Sequence, residues 1–136
     1  QNIVCIKLFS ILLIYDSKYI FQYCENVEIH HAKITTKDSF WECENVTVYD
    51  SELDGEYLAW HSKNVRLVNC HLKGEQLLCY VDNLKLENCT FDAECDRIFE
   101  YSTVEADIRG HVENKKIQRR DVLDLHFLSL KVCGQL

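Results

Sequence analysis

Apolar and polar residues alternate along the chain in short runs that recur at a fixed interval. The stretches ENVEIHHAKI, ENVTVYDSEL, KNVRLVNCHL and DNLKLENCTF begin at Glu25, Glu44, Lys63 and Asp82, and set Asn26, Asn45, Asn64 and Asn83 nineteen residues apart. One and three positions after each asparagine stand apolar pairs: Val27 and Ile29, Val46 and Val48, Val65 and Leu67, Leu84 and Leu86. Between them lie Glu28, Thr47, Arg66 and Lys85. Period two predicts a strand with one face inward. A small residue follows (Ala32, Ser51, Cys70, Cys89), then a large apolar one (Ile34, Leu53, Leu72, Phe91). A looser fifth copy, STVEADIRG from Ser102, arrives one residue late.

Nineteen residues span about 60 Å of extended chain, enough for one closed turn of short strands and too little for a helix in each copy. The pattern therefore predicts an all-β chain: a single-stranded right-handed parallel β-helix of about five coils, since parallel crossovers take that hand. A leucine-rich solenoid needs a longer repeat with a helical half. Coils about 4.8 Å apart would stack equivalent residues into columns. Asn26, Asn45, Asn64 and Asn83 are expected to form a hydrogen-bonded ladder, and Ala32, Ser51, Cys70 and Cys89 a tight corner. Repeats occupy 17–112; residues 1–16 read as a remnant coil or cap. Residues 113–136 read either as a cap on the open end, as solenoids require, or as a tail foreign to the pattern, from a shifted frame or retained intron.

A second apolar run precedes each asparagine. Read with period two, one set (Tyr19, Phe21, Tyr23; Asp38, Phe40, Glu42; Tyr57, Ala59, His61; Gln76, Leu78, Tyr80) faces outward. The other set, which holds Trp41 and Trp60, then faces inward as stacked core. The reverse assignment would expose the tryptophans as a platform for sugars. With the first set outside, Asp38, Glu42 and His61 are the candidate catalytic residues, since paired carboxylates beside a histidine suit glycoside hydrolysis or proton abstraction. Tyr57, Tyr80 and Tyr23 are the candidate ligand-binding residues. A solvated polar face explains the same positions without chemistry.

Composition narrows the classes. Of 136 residues 47% are hydrophobic, and 15 basic against 22 acidic residues give a net charge of −7, which excludes a generic nucleic-acid binder. The apolar stretch Ile3 to Tyr15 is broken by Lys7 and too short for a membrane helix, so no membrane span is expected. Gln1 opens the chain and methionine is absent, which suggests a fragment of a longer product. The eight cysteines form no CxxC pair or zinc-spaced cluster, and several occupy columns that other copies fill with Ser, Ala or Val. They read as buried thiols in a reducing, cytoplasmic compartment. His30 and His31 are neighbours on a strand or corner and cannot chelate together on a strand, so neither a metal nor another cofactor is expected. Phosphate loops, GxSxG and HExxH are missing.

FWECENVTVYDSELDGEYLAWHSKNVRLVNC, LCYVDNLKLENCTF and FEYSTVEADIRG resemble an uncharacterised bacterial family, the domain of unknown function numbered three-seven-three-seven. That resemblance covers about Lys18 to Val112 and implies a pectin-lyase-like β-helix, without an activity or catalytic residues to transfer. The sequence thus points first to a non-catalytic binding or scaffold module with carbohydrate as the favoured ligand. The rivals are a polysaccharide hydrolase or lyase working on the Asp38, Glu42 and His61 face, and a solenoid that self-associates through exposed coil ends.

Overall fold

A computed structural model describes residues 6–8, 16–109 and 126–133, with side chains described for 18–109. Eleven strands make up these residues, and none of them is helical, so no helix here could cross a membrane. One face of the solenoid contains β1 (Ile6–Leu8), β3 (Glu25–His30), β5 (Glu44–Tyr49), β7 (Lys63–Val68) and β9 (Asp82–Phe91), each parallel to the next. The other face runs β2 (Asp16–Ile20), β4 (Lys33–Ser39), β6 (Glu52–Asp54) and β8 (His71–Lys73), and rejoins β9. β10 (Thr103–Arg109) lies parallel to β9, and β11 (His126–Cys133) parallel to β10. Val27, Val46, Val65 and Leu84 pair in register, as do Ile29, Val48, Leu67 and Leu86. This is the parallel β-solenoid of about five nineteen-residue coils that the repeat predicts.

The alternation buries those residues, and Ile34, Leu53, Leu72 and Phe91 close the interior from the second sheet. Fully burying a branched aliphatic side chain stabilises by about 1.5–3 kcal/mol. Each coil repeats the same set, so the core grows one layer at a time.

The predicted ladder is present. Asn45 Nδ2 donates to Asn26 Oδ1 (3.1 Å), Asn64 to Asn45 (3.0 Å) and Asn83 to Asn64 (2.8 Å). The ladder is exposed, on an outer corner where all four residues have φ between 55 and 64°. Asparagine tolerates that left-handed conformation better than most L-residues. A second ladder runs along the next corner, where Asn69 Nδ2 donates to Asp50 Oδ1 (3.0 Å) and Asn88 Nδ2 to Asn69 Oδ1 (2.7 Å). These three residues are left-handed too. In the late fifth copy Thr103 takes the asparagine's place, and its Oγ1 accepts the Asn83 N–H at 2.7 Å. Gly74, at φ 134°, passes so close over Gly55 that a side chain there would strike the Gly55 carbonyl.

The interior corners use a different device. In the column Cys24, Cys43, Ser62, Val81, Ser102, backbone N–H groups point at the side chain of the following coil. Cys24 N–H donates to Cys43 Sγ (3.4 Å), Cys43 N–H to Ser62 Oγ (3.0 Å) and Val81 N–H to Ser102 Oγ (2.9 Å). Each acceptor also donates backwards: Cys43 Sγ to Phe21 O, Ser62 Oγ to Phe40 O (2.5 Å) and Ser102 Oγ to Leu78 O (2.7 Å). Ser51 repeats the arrangement at the small-residue corner, accepting from Ala32 N–H at 3.0 Å and donating to Tyr49 O at 2.7 Å. Hydroxyl and thiol are interchangeable here because both donate and accept. This explains why Cys and Ser share columns.

Ser62→Ala leaves the buried Cys43 N–H without an acceptor, and is expected to cost about 1–3 kcal/mol. Ser62→Cys, which keeps a donor and an acceptor, should cost clearly less. Denaturant midpoints of the two variants check this; equal losses would contradict it.

Candidate functional site

Each coil closes through a turn at residues 21–24, 40–43, 59–62, 78–81 and 99–102. The first and third residue of every turn are left-handed: Phe40 and Glu42, Ala59 and His61, Leu78 and Tyr80, Phe99 and Tyr101 all lie at φ 49–69°. A left-handed residue breaks strict alternation, so two successive side chains turn inward. Leu58 with Ala59, Leu77 with Leu78 and Ile98 with Phe99 are buried together. The period-two reading of this segment, with Phe40, Ala59 and Leu78 outside and Trp41 and Trp60 inside, is therefore corrected. Phe40, Ala59 and Leu78 are 1%, 1% and 0% exposed, whereas both tryptophans lie half-buried on the outer surface. The turn N–H groups still find partners: Leu78 N–H donates to Leu58 O in the coil before, and Glu42 and Tyr80 N–H donate to Trp60 O and Glu100 O in the coil after.

What emerges is an aromatic edge along the solenoid axis. Trp41 stacks on Trp60 with centroids 5.8 Å apart, His61 on Tyr80 at 4.8 Å and Tyr80 on Tyr101 at 4.8 Å. Tyr57 meets Trp60 edge-on at 5.0 Å, and Trp60 Nε1 donates to Gln76 O at 2.7 Å. Tyr80 and Tyr101 remain 38% and 42% exposed, and Tyr23, in the same column, 48%. Burial and the neighbouring Tyr101 raise the Tyr80 phenol above its ordinary range. The Tyr57 phenol is raised chiefly by its hydrogen bond to Glu56. Tyr101, absent from the candidates read from sequence, completes the column; its signal, an aromatic 21 residues after Tyr80, is hidden by the longer fifth coil.

The three candidate catalytic residues divide between two environments. Glu42 and His61 are exposed, on adjacent coils of the edge column. Asp38 is buried four residues before Glu42, and its Oδ1 has no hydrogen-bond partner. Burial raises the Asp38 carboxyl above its ordinary range, Lys37 opposes the shift, and Lys37 itself lies 4.0 Å from Glu56. Neither a hydrogen bond nor an ion pair joins Asp38, Glu42 and His61 among the described residues. Tyr57 and Tyr80 both meet Trp60, and so belong to one cluster.

Other groups sort away from the edge. His30 lies over Tyr49 (4.4 Å) with Nε2 at 2.9 Å from Glu28, while His31 turns the corner toward Asp50 at 3.8 Å. On the second sheet a shallow depression of about 240 Å³ is lined by Lys33, Glu52, His71, Lys73 and Asp92, where Lys33 faces Glu52 and His71 faces Asp92, both at 3.8 Å. Among the described residues no three His, Cys, Asp or Glu side chains converge to hold a metal ion. The six cysteines whose side chains are described are buried and free, and burial pushes the Cys43 and Cys79 thiols up to about 12.

Residues 6–120 match the family model described as a protein of unknown function, DUF3737. The chain belongs to that family. No curated protein and no solved structure matches it. The DUF3737 match reaches further toward both ends than the segments that carry the sequence resemblance, and takes in β1. The family description assigns no activity, so the site must be argued from its residues.

Asp38 gives a pH test. Its carboxyl titrates above the unfolded value of 3.8 because burial disfavours the charge, so the folded state is favoured below that value and loses this contribution as pH rises through the folded pKa. Asp38→Asn is expected to raise the melting temperature at pH 7 and to leave it nearly unchanged near pH 3. A lower melting temperature at pH 7 would contradict the assignment.

Proposed function

We propose that this DUF3737 chain is a non-catalytic binding module that takes carbohydrate along its aromatic edge. The supporting observation is the run of Trp41, Tyr57, Trp60, His61, Tyr80 and Tyr101 along successive coils on one exposed edge. Stacking covers ring faces inside the columns, so a polymer would meet ring edges together with the hydroxyl tips of Tyr80 and Tyr101. Such groups combine an apolar body with a polar tip. An edge built from successive coils also offers an extended polymer ring contacts on several coils at once.

The pectin-lyase-like kinship implied by the sequence resemblance is consistent with parallel coils and side-chain ladders, but fold alone carries no chemistry. The enzyme reading is less well supported, because Asp38 is covered and no contact joins it to Glu42 or His61. The buried free thiols favour a reducing, cytoplasmic setting.

Retention on a panel of immobilised polysaccharides, scored together with release of reducing or unsaturated ends, tests the proposal. Trp60→Ala or Tyr80→Ala should lower retention at least about tenfold, a loss of roughly 1.4 kcal/mol, with no product formed. Product that disappears in Glu42→Gln would instead establish an enzyme.

A further inference from the structure

The charge of the edge bears on which glycan it takes, an inference that rests on the carbohydrate reading above. Residues 18–25, 37–44, 56–63, 75–82 and 96–103 comprise the turns and their immediate flanks. Apart from the buried Asp38 they carry eight acidic and four basic residues, so more than half of the chain's net charge of −7 lies on this edge. Two of the four cations are already engaged, Lys37 with Glu56 at 4.0 Å and Arg97 with Glu100 at 2.9 Å. Lys18 lies over the Tyr19 ring at 5.3 Å. By contrast Glu42, Glu44, Glu75, Asp82 and Asp96 have no ion-pair partner among the described residues, and all five are exposed.

Glu42 stands inside the aromatic column, between Tyr23 and His61. Glu44 and Asp82 stand two residues after Glu42 and Tyr80, on either side of Lys63 along one register. A polymer lying on the rings therefore meets Glu42 within the column and, beside it, Glu44 and Asp82 with Lys63 between them. Like charges brought together across such a contact repel, and opposite charges raise both encounter rate and specificity. Uronate polymers present a carboxylate on every sugar and would have to approach this field. Glycans with free amino groups present ammonium ions that the unpaired carboxylates would accept.

We infer that the edge selects amino-sugar glycans and rejects uronate polymers, with Glu42, Glu44 and Asp82 as the selecting groups. The test compares retention on three polymers: deacetylated chitin, an uncharged β-glucan and polygalacturonate. At about 20 mM salt the expected order is deacetylated chitin, then β-glucan, then polygalacturonate, with at least a tenfold gap between first and last. The gap should shrink as salt rises to about 0.5 M and the Debye length shortens to a few ångströms.

Non-specific attraction to an acidic protein is separated by two variants of equal charge change. Glu42→Gln with Glu44→Gln should lower retention on deacetylated chitin at least threefold relative to any change on the β-glucan. Glu94→Gln with Glu105→Gln, exposed and outside the edge segments, should leave both unchanged. Equal losses in the two double variants, or polygalacturonate held as well as the β-glucan, would overturn the inference. If Trp60→Ala still abolished binding in that second case, the aromatic edge itself would stand. Retention of none of the polymers would remove both readings.

Discussion

A nineteen-residue coil that turns its backbone inward at the corners must find partners for N–H groups that the sheets cannot reach. A buried unpaired N–H costs about as much as a lost hydrogen bond or more, and every coil would repeat the deficit. Here the next coil supplies a hydroxyl or thiol: Ser51 for Ala32, Ser62 for Cys43, Ser102 for Val81. Ser62 Oγ and Ser102 Oγ also donate to a carbonyl of the preceding coil, so one small side chain joins two coils at both a donor and an acceptor, while Ser51 Oγ donates to Tyr49 O of its own coil. The requirement for stacked strands, tight corners and cysteine in place of serine all follow from it.

That constraint also separates inside from outside. Apart from Asp38, the buried polar side chains among the described residues are small hydroxyls and thiols, whereas the asparagine ladders that the repeat advertises lie on outer corners. Their role is conformational as much as cohesive, because Asn and Asp accept the left-handed backbone that turns the chain. The turns that carry Phe40, Leu78 and Phe99 use the same conformation without such tolerance. Burial of those side chains and coil-to-coil hydrogen bonds hold them there.

Period two and the nineteen-residue spacing made the strands, their register, the Asn26–Asn83 ladder and the buried columns legible in the sequence. The aromatic edge was only half legible. Alternation is a property of extended backbone, and nothing in FWEC or LAWH announces two left-handed residues. Strict alternation therefore favours Trp41 and Trp60 in the core with Phe40 and Ala59 outside, and its reverse, with the tryptophans exposed, still cannot place two successive side chains inside. Asp38 shows the same difficulty: as a charged residue it reads as solvated, but it is buried near the end of β4. Composition could hint at the acidic bias of the edge, yet only the coil geometry gathers the charges of five segments along one line.

The fold thus offers a rigid line of rings and carboxylates on a scaffold joined coil to coil. Its central claim is that side chains of the following coil satisfy the corner N–H groups. Site-resolved hydrogen exchange at the Cys43 amide tests this most directly. Protection matching that of the neighbouring strand amides Val46 and Val48, lost selectively when Ser62 is replaced by alanine, is the predicted result. Rapid exchange at Cys43 in the intact protein, or protection indifferent to the residue at position 62, would contradict it.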